Sequence, residues 1–357
     1  MGLIDRIAEK MDKTEVFKFS ELDFFSLQKN WISTGSPSLD KNLRVLGYPT
    51  GIVEVRGDSQ SGKTTFSIHA MKSCISEYRD RAIVTILSSE RRDNKELAHN
   101  IGLKTDQVLI IPTRTVEQVF TEIGRVVEEG AKAGAEAGIK PRFLFVWDSL
   151  GQTVSRQEKE TVEVRRKGAL KGDEDKNAAM GSAARAISFG LRGFLSMLDE
   201  HEITLFIINR AYENIGMFTG GKSSYGGKAM EFFPTMRLEL SKKAGIKVGE
   251  EEVGQETMVT VVKSDFGPPK AKFLTEIGYG YGLVLSQSDI ELGIQLKILT
   301  KHGAYGAKFS EKLKWSSRKE LYAHYENKNP LLKVLLVKLN TAAHEAVVEE
   351  RTERLNK

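Results

Sequence analysis

The stretch GDSQSGKTTF, residues 57–66, follows the pattern G-x-x-x-x-G-K-[ST], with Gly57, Gly62, Lys63 and Thr64 at the fixed positions. An apolar, β-branched run, GIVEV, precedes it, and apolar residues at helical spacing follow it. The order strand, glycine-rich loop, helix is the context in which this pattern binds phosphate. Glycines let backbone N–H groups turn towards phosphate oxygens, and the helix N-terminus adds its positive dipole. The stretch therefore predicts a phosphate-binding loop.

The residue types in the loop also indicate what they contact. Lys63 is expected to reach the β- and γ-phosphates, and the hydroxyl of Thr64 is expected to ligate Mg²⁺. The sequence therefore predicts ATP and Mg²⁺ as cofactors. The remaining residues expected to line the nucleotide site are Asp58, Ser59, Gln60, Ser61 and Thr65.

The composition is that of a soluble globular protein, with 357 residues, of which 40% are hydrophobic and 28% charged. No apolar run approaches the roughly 18 residues of a membrane span. The single cysteine, Cys74, excludes an internal disulfide and a cysteine-based zinc site, and we expect it to be a small buried residue. A formal charge of +5 permits an anionic partner without demonstrating one. These features predict a cytoplasmic protein that does not associate with a membrane.

Strand-like and helical runs alternate from about residue 36 to residue 285. This alternation predicts an α/β fold with a mostly parallel sheet and helices on both faces. The first four runs and ITLFIIN are almost wholly apolar, so we expect them to be buried on both faces of the sheet. Two long polar segments, 152–180 and 212–228, are more typical of functional loops than of ordinary connections. The strand-like runs are GIVEV, RAIVTILSS, QVLIIP, RFLFVWDSL, ITLFIIN, TMRLELS and ETMVTVVKS.

The regions on either side of this core have different patterns. Residues 1–35 predict a short amphipathic helix followed by an extended segment. Residues 286–357 are helical again, with AYGAKFSEKLKW as a candidate hairpin, and predict a small α+β domain. The predicted organisation is therefore an N-terminal extension over 1–35, an ATPase core over 36–285 and a C-terminal domain over 286–357.

Two carboxylates follow buried strands and are candidates for the chemistry. RFLFVWDSL places Asp148 at a strand end, where a carboxylate completes the Mg²⁺ shell in phosphate-loop enzymes. RAIVTILSSE ends in Glu90, a candidate for orienting or deprotonating the attacking water. Each has a simpler interpretation, because Asp148 also fits a helix cap and Glu90 also fits a solvated turn beside two arginines.

The chain resembles the RecA family of DNA recombinases over nearly its whole length, and the matching motifs recur in family order. The resemblance implies a RecA-type ATPase core, in which Glu90 is the catalytic glutamate and Asp148 the metal-side aspartate. It also implies hydrolysis of ATP to ADP and phosphate, stimulated by DNA, by a helical homo-oligomeric filament on single-stranded DNA that pairs with double-stranded DNA. The matching stretches are ISTGSPSLDKNL with GYPTGIVEVRGDSQSGKTT, ILSSE, FVWDS, AAMGSAARAISFGLRGF, IINRAYENIGMFTGGKSSYGGKAMEFFPTMRLEL and VGQETMVTVVKS.

The resemblance further implies where DNA and a neighbouring subunit are contacted. AAMGSAARAISFGLRGF resembles the helix behind the first DNA-binding loop, and its Arg185 and Arg192 share one helix face. Without the resemblance, these two residues would be interpreted as ordinary surface charge. Arg210 follows the sensor strand at the position that contacts the γ-phosphate, and Lys263 contacts the nucleotide of the adjacent subunit. In the second DNA-binding loop, where the tyrosine is a candidate for stacking on bases, the expected contacts are Lys222, Ser223, Ser224, Tyr225, Gly226, Gly227 and Lys228.

Several positions depart from the family pattern. Arg210 stands where bacterial members have a glutamine, and Asp265 replaces the second of two lysines. Leu97 occupies the position of a tyrosine that stacks near adenine, and the usual acidic tail is absent from the ending EERTERLNK. We interpret the chain as a divergent member, with a phage origin as one interpretation.

The resemblance also bears on assembly. VFKFSEL alternates apolar Val16, Phe17 and Phe19 with polar neighbours, where family members add a strand to the adjacent subunit. The segment also fits a strand that folds back on its own sheet. A ring helicase, a regulatory ATPase and an accessory protein without turnover remain alternatives. Arg210 and Asp265 keep the first two open, and Glu90 argues against the third.

Overall fold

The computed structural model describes residues 30–89, 94–166, 181–213, 222–267, 269–303 and 306–355. The predicted N-terminal helix and extended segment lie almost wholly outside these ranges. Within them the strands are β1 (Gly51–Gly57), β2 (Ala82–Ser88), β3 (Val108–Pro112), β4 (Arg142–Asp148), β5 (Glu202–Asn209), β6 (Ala211–Glu213), β7 (Lys222–Ser224), β8 (Met236–Val248), β9 (Glu251–Ser264), β10 (Lys272–Gly278), β11 (Gly282–Val284), β12 (Thr300–His302), β13 (Gly306–Ser310) and β14 (Leu313–Trp315).

The helices alternate with these strands through the core and dominate the C-terminal region. In the described ranges the α-helices are α1 (Pro37–Asn42), α2 (Lys63–Tyr78), α3 (Lys95–Ile101), α4 (Val116–Ala137), α5 (Arg156–Arg166), α6 (Ser182–Met197), α7 (Ala229–Phe232), α8 (Gln287–Gln295), α9 (Arg318–Glu326) and α10 (Pro330–Leu355). The segment 152–180, predicted as a loop, therefore begins with a helix at Arg156.

A nine-stranded sheet in the order β11-β10-β9-β8-β1-β5-β4-β2-β3 forms the core. The strands from β8 to β3 are parallel, and β9, β10 and β11 add an antiparallel edge. This confirms the predicted α/β class. In this order β5 lies between β1 and β4, and β5 and β4 separate β1 from β2.

Side chains alternate between the two faces of the sheet and build a core on each. From β4, Leu144 and Val146 pack with α2 on one face, while Phe143, Phe145 and Trp147 pack with α4 and α6 on the other. Cys74 of α2 is buried, and burial raises the pKa of its thiol to about 12. The expectation of a small, buried structural cysteine is therefore confirmed.

The expectation of full burial is wrong for β3. Leu109 is 53% exposed and Ile110 is 59% exposed, because β3 is the edge strand of the parallel half. An apolar composition fits both a central strand and an edge strand that another segment covers, so composition alone does not distinguish the two.

The C-terminal region has its own hydrophobic cluster, which includes Trp315, Leu335 and Leu339. Strands β12, β13 and β14 form a separate antiparallel sheet, which contains the predicted hairpin. Helix α10 also packs against α1 of the core, where Nε2 of His344 lies 3.4 Å from the buried carboxylate of Asp40. The predicted division after residue 285 stays a prediction. Among the described helices, none is long and apolar enough to cross a bilayer.

Candidate nucleotide site and adjoining DNA loops

The phosphate loop joins β1 to α2, as its sequence predicts. Gly62 caps α2 with φ 98°, in the left-handed region, and a Cβ there would lie 2.3 Å from Cδ1 of Ile277. A Cβ on Gly57 would lie 2.3 Å from the carbonyl oxygen of Leu240. A Cβ at Gly57 would meet the backbone of a neighbouring strand, and one at Gly62 would be strained by the left-handed φ, so glycine is favoured at both positions.

Lys63 begins α2 and turns its ammonium group towards the loop backbone. Its Nζ donates to the carbonyl oxygen of Gly57 at 2.8 Å and to that of Asp58, with the hydroxyl of Ser61 at 3.5 Å. Ser61 is fully buried, and Thr64 lies in the first turn of α2. The predicted loop residues are thus brought together around one cationic centre at a helix N-terminus.

A residue that the motif analysis did not identify contacts the phosphate loop from another strand of the sheet. Gln255 of β9 is buried and donates from Nε2 to the carbonyl oxygen of Gln60 at 2.9 Å and to the hydroxyl of Thr257 at 3.2 Å. Gln60 has φ 60°, a conformation that this bond supports. A glutamine in a strand 195 residues downstream carries no local signal for this role.

The carboxyl ends of the parallel strands meet at the edge of the sheet that holds the loop. Asp148 ends β4, and its carbonyl oxygen accepts a hydrogen bond from Ser89 N at 2.9 Å. Ser88, at the end of β2, pairs in register with Asp148. Glu90 lies outside the described residues, two positions beyond Ser88. The roles of Asp148 and Glu90 stay predictions.

The donor set at this edge suits Mg²⁺, which is commonly held by one or two carboxylates together with substrate phosphates and water. Thr64 offers a hydroxyl and Asp148 a carboxylate. In the described part of the chain, no group of three His, Cys, Asp or Glu residues is placed to hold a metal ion by itself.

A buried polar network connects β1, which leads into the phosphate loop, to the second predicted DNA-binding segment. Asn209, at the end of β5, donates from Nδ2 to Oε1 of Glu54 at 2.8 Å and to the carbonyl oxygen of Tyr225 at 2.9 Å. Arg237 of β8 donates from Nε to Oε2 of Glu54 at 2.6 Å. Glu54 and Asn209 are both fully buried. The network therefore joins β1, β5, β8 and the segment after β7.

Arg210 follows Asn209 of this network in the chain, and Lys263 pairs in register with Arg237. Arg210 is exposed, and its backbone N–H donates to Oδ1 of Asn209 at 2.8 Å. Lys263 of β9 donates from Nζ to the carbonyl oxygen of Phe232 at 2.7 Å, at the end of α7. Their predicted contacts with nucleotide stay predictions.

The described part of the second predicted DNA-binding segment begins as a strand and continues as a turn. Its Lys222, Ser223 and Ser224 form β7, which pairs antiparallel with β6. Tyr225 is half-buried and packs against the core cluster of α4 and α6. Lys228 is exposed. Gly226 and Gly227, which follow Tyr225, have φ 104° and 66°.

Helix α6 presents its two arginines to solvent. Arg185 and Arg192 are both exposed, and Nε of Arg192 donates to the carbonyl oxygen of Ser188 at 3.3 Å. The start of α6 adjoins the end of the second segment, because a Cβ on Gly227 would lie 3.4 Å from Cβ of Ala184. The structure thus brings the two predicted DNA-contacting elements together.

Comparison with known proteins identifies the family. The model of the RecA N-terminal domain matches residues 2–284. Protein RecA of Desulforapulum autotrophicum is 30% identical over 276 residues, covering 77% of this chain and 72% of that protein. Protein RecA of Malacoplasma penetrans is 30% identical and that of Clavibacter michiganensis 31% identical, covering 85% and 86% of this chain and 83% and 80% of those proteins.

The chain belongs to the RecA family. It is a DNA-dependent ATPase of DNA recombination and repair, and it has the nucleotide-binding core of that family. The matched residues run from before the phosphate loop to the end of β11, and so include every site residue named above.

Proposed function

We propose that this RecA-family ATPase binds MgATP at the phosphate loop and uses it to assemble on single-stranded DNA for homologous pairing and strand exchange. The observation that supports this best is the contact of Asn209 with both Glu54 and Tyr225. Through it the strand that carries the phosphate loop is joined directly to the segment predicted to hold DNA.

The proposed chemistry assigns one task to each residue at the carboxyl edge. Backbone N–H groups of 58–64 and the ammonium of Lys63 hold the phosphates, while Thr64 and Asp148 hold Mg²⁺. Bound Mg²⁺ would neutralise charge that develops on the phosphate oxygens. Glu90 orients and deprotonates the attacking water.

The test is ATP turnover with and without single-stranded DNA. Lys63→Ala should abolish nucleotide binding or turnover, because it removes the cation on the β- and γ-phosphates. Glu90→Gln should retain MgATP binding but lose nearly all turnover, since a carboxamide cannot accept the proton. Full activity in Glu90→Gln would remove Glu90 from the mechanism. A wild-type protein whose turnover ignores DNA would contradict the recombinase proposal.

The exposed edge of β3 supports assembly into a filament. Leu109 and Ile110 are more than half exposed on a strand whose outer edge no described strand pairs with. An extended segment can add to such an edge through backbone hydrogen bonds. We propose that Val16–Phe19 of one subunit adds to β3 of the next.

Electron microscopy with ATP and single-stranded DNA tests assembly. Deletion of residues 1–30 should leave a folded, nucleotide-binding monomer without filaments. Ile110→Lys should have the same effect from the other side of the contact, and Leu274→Lys, at an exposed apolar residue of β10, is a matched control. Closed rings would favour a helicase-type motor, and long filaments from the truncated chain would contradict the proposed contact.

The same arrangement suggests how ATP controls DNA binding. Arg210 is placed directly after Asn209, and its charged fork gains most from a terminal phosphate. Single-stranded DNA should therefore bind more tightly with a non-hydrolysable ATP analogue than with ADP, since only a differential contact shifts the equilibrium. Arg210→Ala should narrow this difference and leave nucleotide affinity largely unchanged. A full difference in the variant would place the switch elsewhere.

The predicted DNA contacts are with the phosphate backbone and not with base edges. Arginine, lysine and serine side chains and glycine N–H groups bind phosphates, so we expect little sequence preference and weaker binding in higher salt. A cytoplasmic location and a phage origin stay predictions.

A further inference from the structure

Phe189 lies between the two arginines on the exposed face of α6. It is 76% exposed, the highest value among the large hydrophobic side chains in the described residues. Full burial of a phenylalanine contributes about 1.5–3 kcal/mol. The isolated chain does not gain this contribution, so the side chain is available to a partner.

The charge around Phe189 favours an anionic partner. At 100° per residue, Arg185 and Arg192 lie about 20° apart around the helix axis and about 10 Å apart along it. Phe189 lies between them along the axis, roughly 40° from Arg185 and roughly 60° from Arg192 around it. Helix α6, SAARAISFGLRGFLSM, contains no acidic residue. An aromatic ring flanked by cations on an otherwise uncharged helix suits a base attached to phosphates better than an apolar protein surface.

A groove beside Phe189 has room for such a group. A cavity of about 620 Å³ lies between α4, α6 and the start of α5, and its lining includes Phe120, Arg185, Phe189, Gly190 and Met197. A Cβ on Gly190 would lie 2.0 Å from Cδ2 of Phe120, so that ring packs directly on the helix backbone. The one acidic side chain of the groove, Glu117, accepts from the backbone N–H of Arg156.

We propose that Phe189 stacks on a base of single-stranded DNA whose phosphates are held by Arg185 and Arg192. The neighbouring loop supports this placement, since Gly227 adjoins Ala184 at the start of the same helix. Tyr225, the aromatic residue that the sequence suggested for stacking, is half-buried against the core. Phe189 has the exposed ring that base stacking requires.

This inference rests on the proposed DNA binding, and the experiment separates the two. Affinities of the full chain with a non-hydrolysable ATP analogue are measured for a thymidine oligonucleotide and for an abasic oligonucleotide of equal length and charge. The wild type should prefer the thymidine strand, by roughly tenfold per stacked base. Phe189→Ala and Phe189→Leu should both reduce this preference towards one, and Phe189→Trp should retain it.

The leucine variant distinguishes stacking from apolar packing, because it preserves bulk and removes the aromatic face. A preference retained in both Phe189→Leu and Phe189→Ala would overturn the inference and leave DNA binding itself intact. If Phe189→Leu alone kept the wild-type preference, Phe189 would be packing against protein, and the inference would again be wrong. A wild-type chain that binds neither oligonucleotide would overturn the proposed function as well.

Discussion

The phosphate loop and the exposed face of α6 both carry cations predicted to meet phosphates, but the fold constrains them in opposite ways. Lys63 donates to carbonyl oxygens of the loop. The loop begins at Gly57 and ends at Gly62, where an added Cβ would contact neighbouring strands. Arg185 and Arg192 are exposed side chains of a regular helix. The loop is therefore specified by backbone geometry, whereas the α6 face is specified only by charge and by position on the helix.

The buried network behind the loop should be the least tolerant part of the molecule. Glu54→Ala leaves Arg237 without its carboxylate and Asn209 without one acceptor, and removing one partner of a buried pair costs about 3–5 kcal/mol. The free energy of unfolding in urea measures the loss. The matched control is Glu128→Ala in the exposed pair with Lys132, which should leave stability nearly unchanged. Equal effects in the two variants would mean that the network adds no stability to this edge.

The loop itself should fail at its second glycine. Gly62→Ala combines left-handed strain of about 1–2 kcal/mol with the contact to Ile277, so ATP affinity should fall at least tenfold. Ile277→Ala in the same chain should relieve the contact and leave the strain. Gly138→Ala is the control, since Gly138 has φ 66° with no atom within 4 Å of its Cβ position and lies at the end of α4. Unchanged ATP binding in Gly62→Ala would show that the loop tolerates a side chain there.

The contrast between the phosphate loop and the α6 face also explains which features the sequence could predict. The phosphate loop, the strands around it and the α/β class were predictable because each requires particular residue types at fixed spacing. The bracing bond of Gln255 and the Glu54–Asn209–Tyr225 network were not, because they join residues that only the strand order brings together. The edge position of β3 was also not predictable, because its apolar composition is that of a central strand.

The α6 face shows the complementary limit. Arg185 and Arg192 were predictable as a pair from their spacing of seven, and Phe189 shares their face because it lies four residues after Arg185 and three before Arg192, but the extent of its exposure was not predictable. Its exposure depends on the position of Gly190 against Phe120 in the packed helices. The apolar side chain of Phe189 would by itself predict burial, whereas the spacing of the buried Ile187, Leu191 and Phe194 places Phe189 off the core face.

Acidification should destabilise the phosphate-loop side of the molecule, and by less than the two substitutions above. His69 of α2 is buried and accepts a hydrogen bond from Leu283 N at 2.9 Å, and burial, with Lys72 nearby, lowers the pKa of its imidazole to about 3. The unfolded chain takes up a proton near pH 6.5 and the folded chain does not, so stability is full above that value. It is lost as pH falls towards 3, by up to about 1.4 kcal/mol per pH unit.

The measurement compares the wild type with His69→Gln between pH 7 and pH 5. Glutamine can still accept from Leu283 N but does not titrate in this range, so the variant should lose less stability on acidification. Parallel pH profiles would mean that His69 is protonated in the folded protein.

The smallest effect is expected on the α6 face, where single changes should be mild and additive. Arg192→Ala removes one phosphate contact, which should lower single-stranded DNA affinity uniformly across sequences and reduce the slope of log K against log salt by roughly 0.7. Arg192→Lys keeps the charge and should keep the slope, because counterion release depends on charge and not on the geometry of the guanidinium group. Salt titrations of both variants with an ATP analogue measure the difference. An unchanged slope in Arg192→Ala would make this arginine a solvated surface charge that contacts no phosphate.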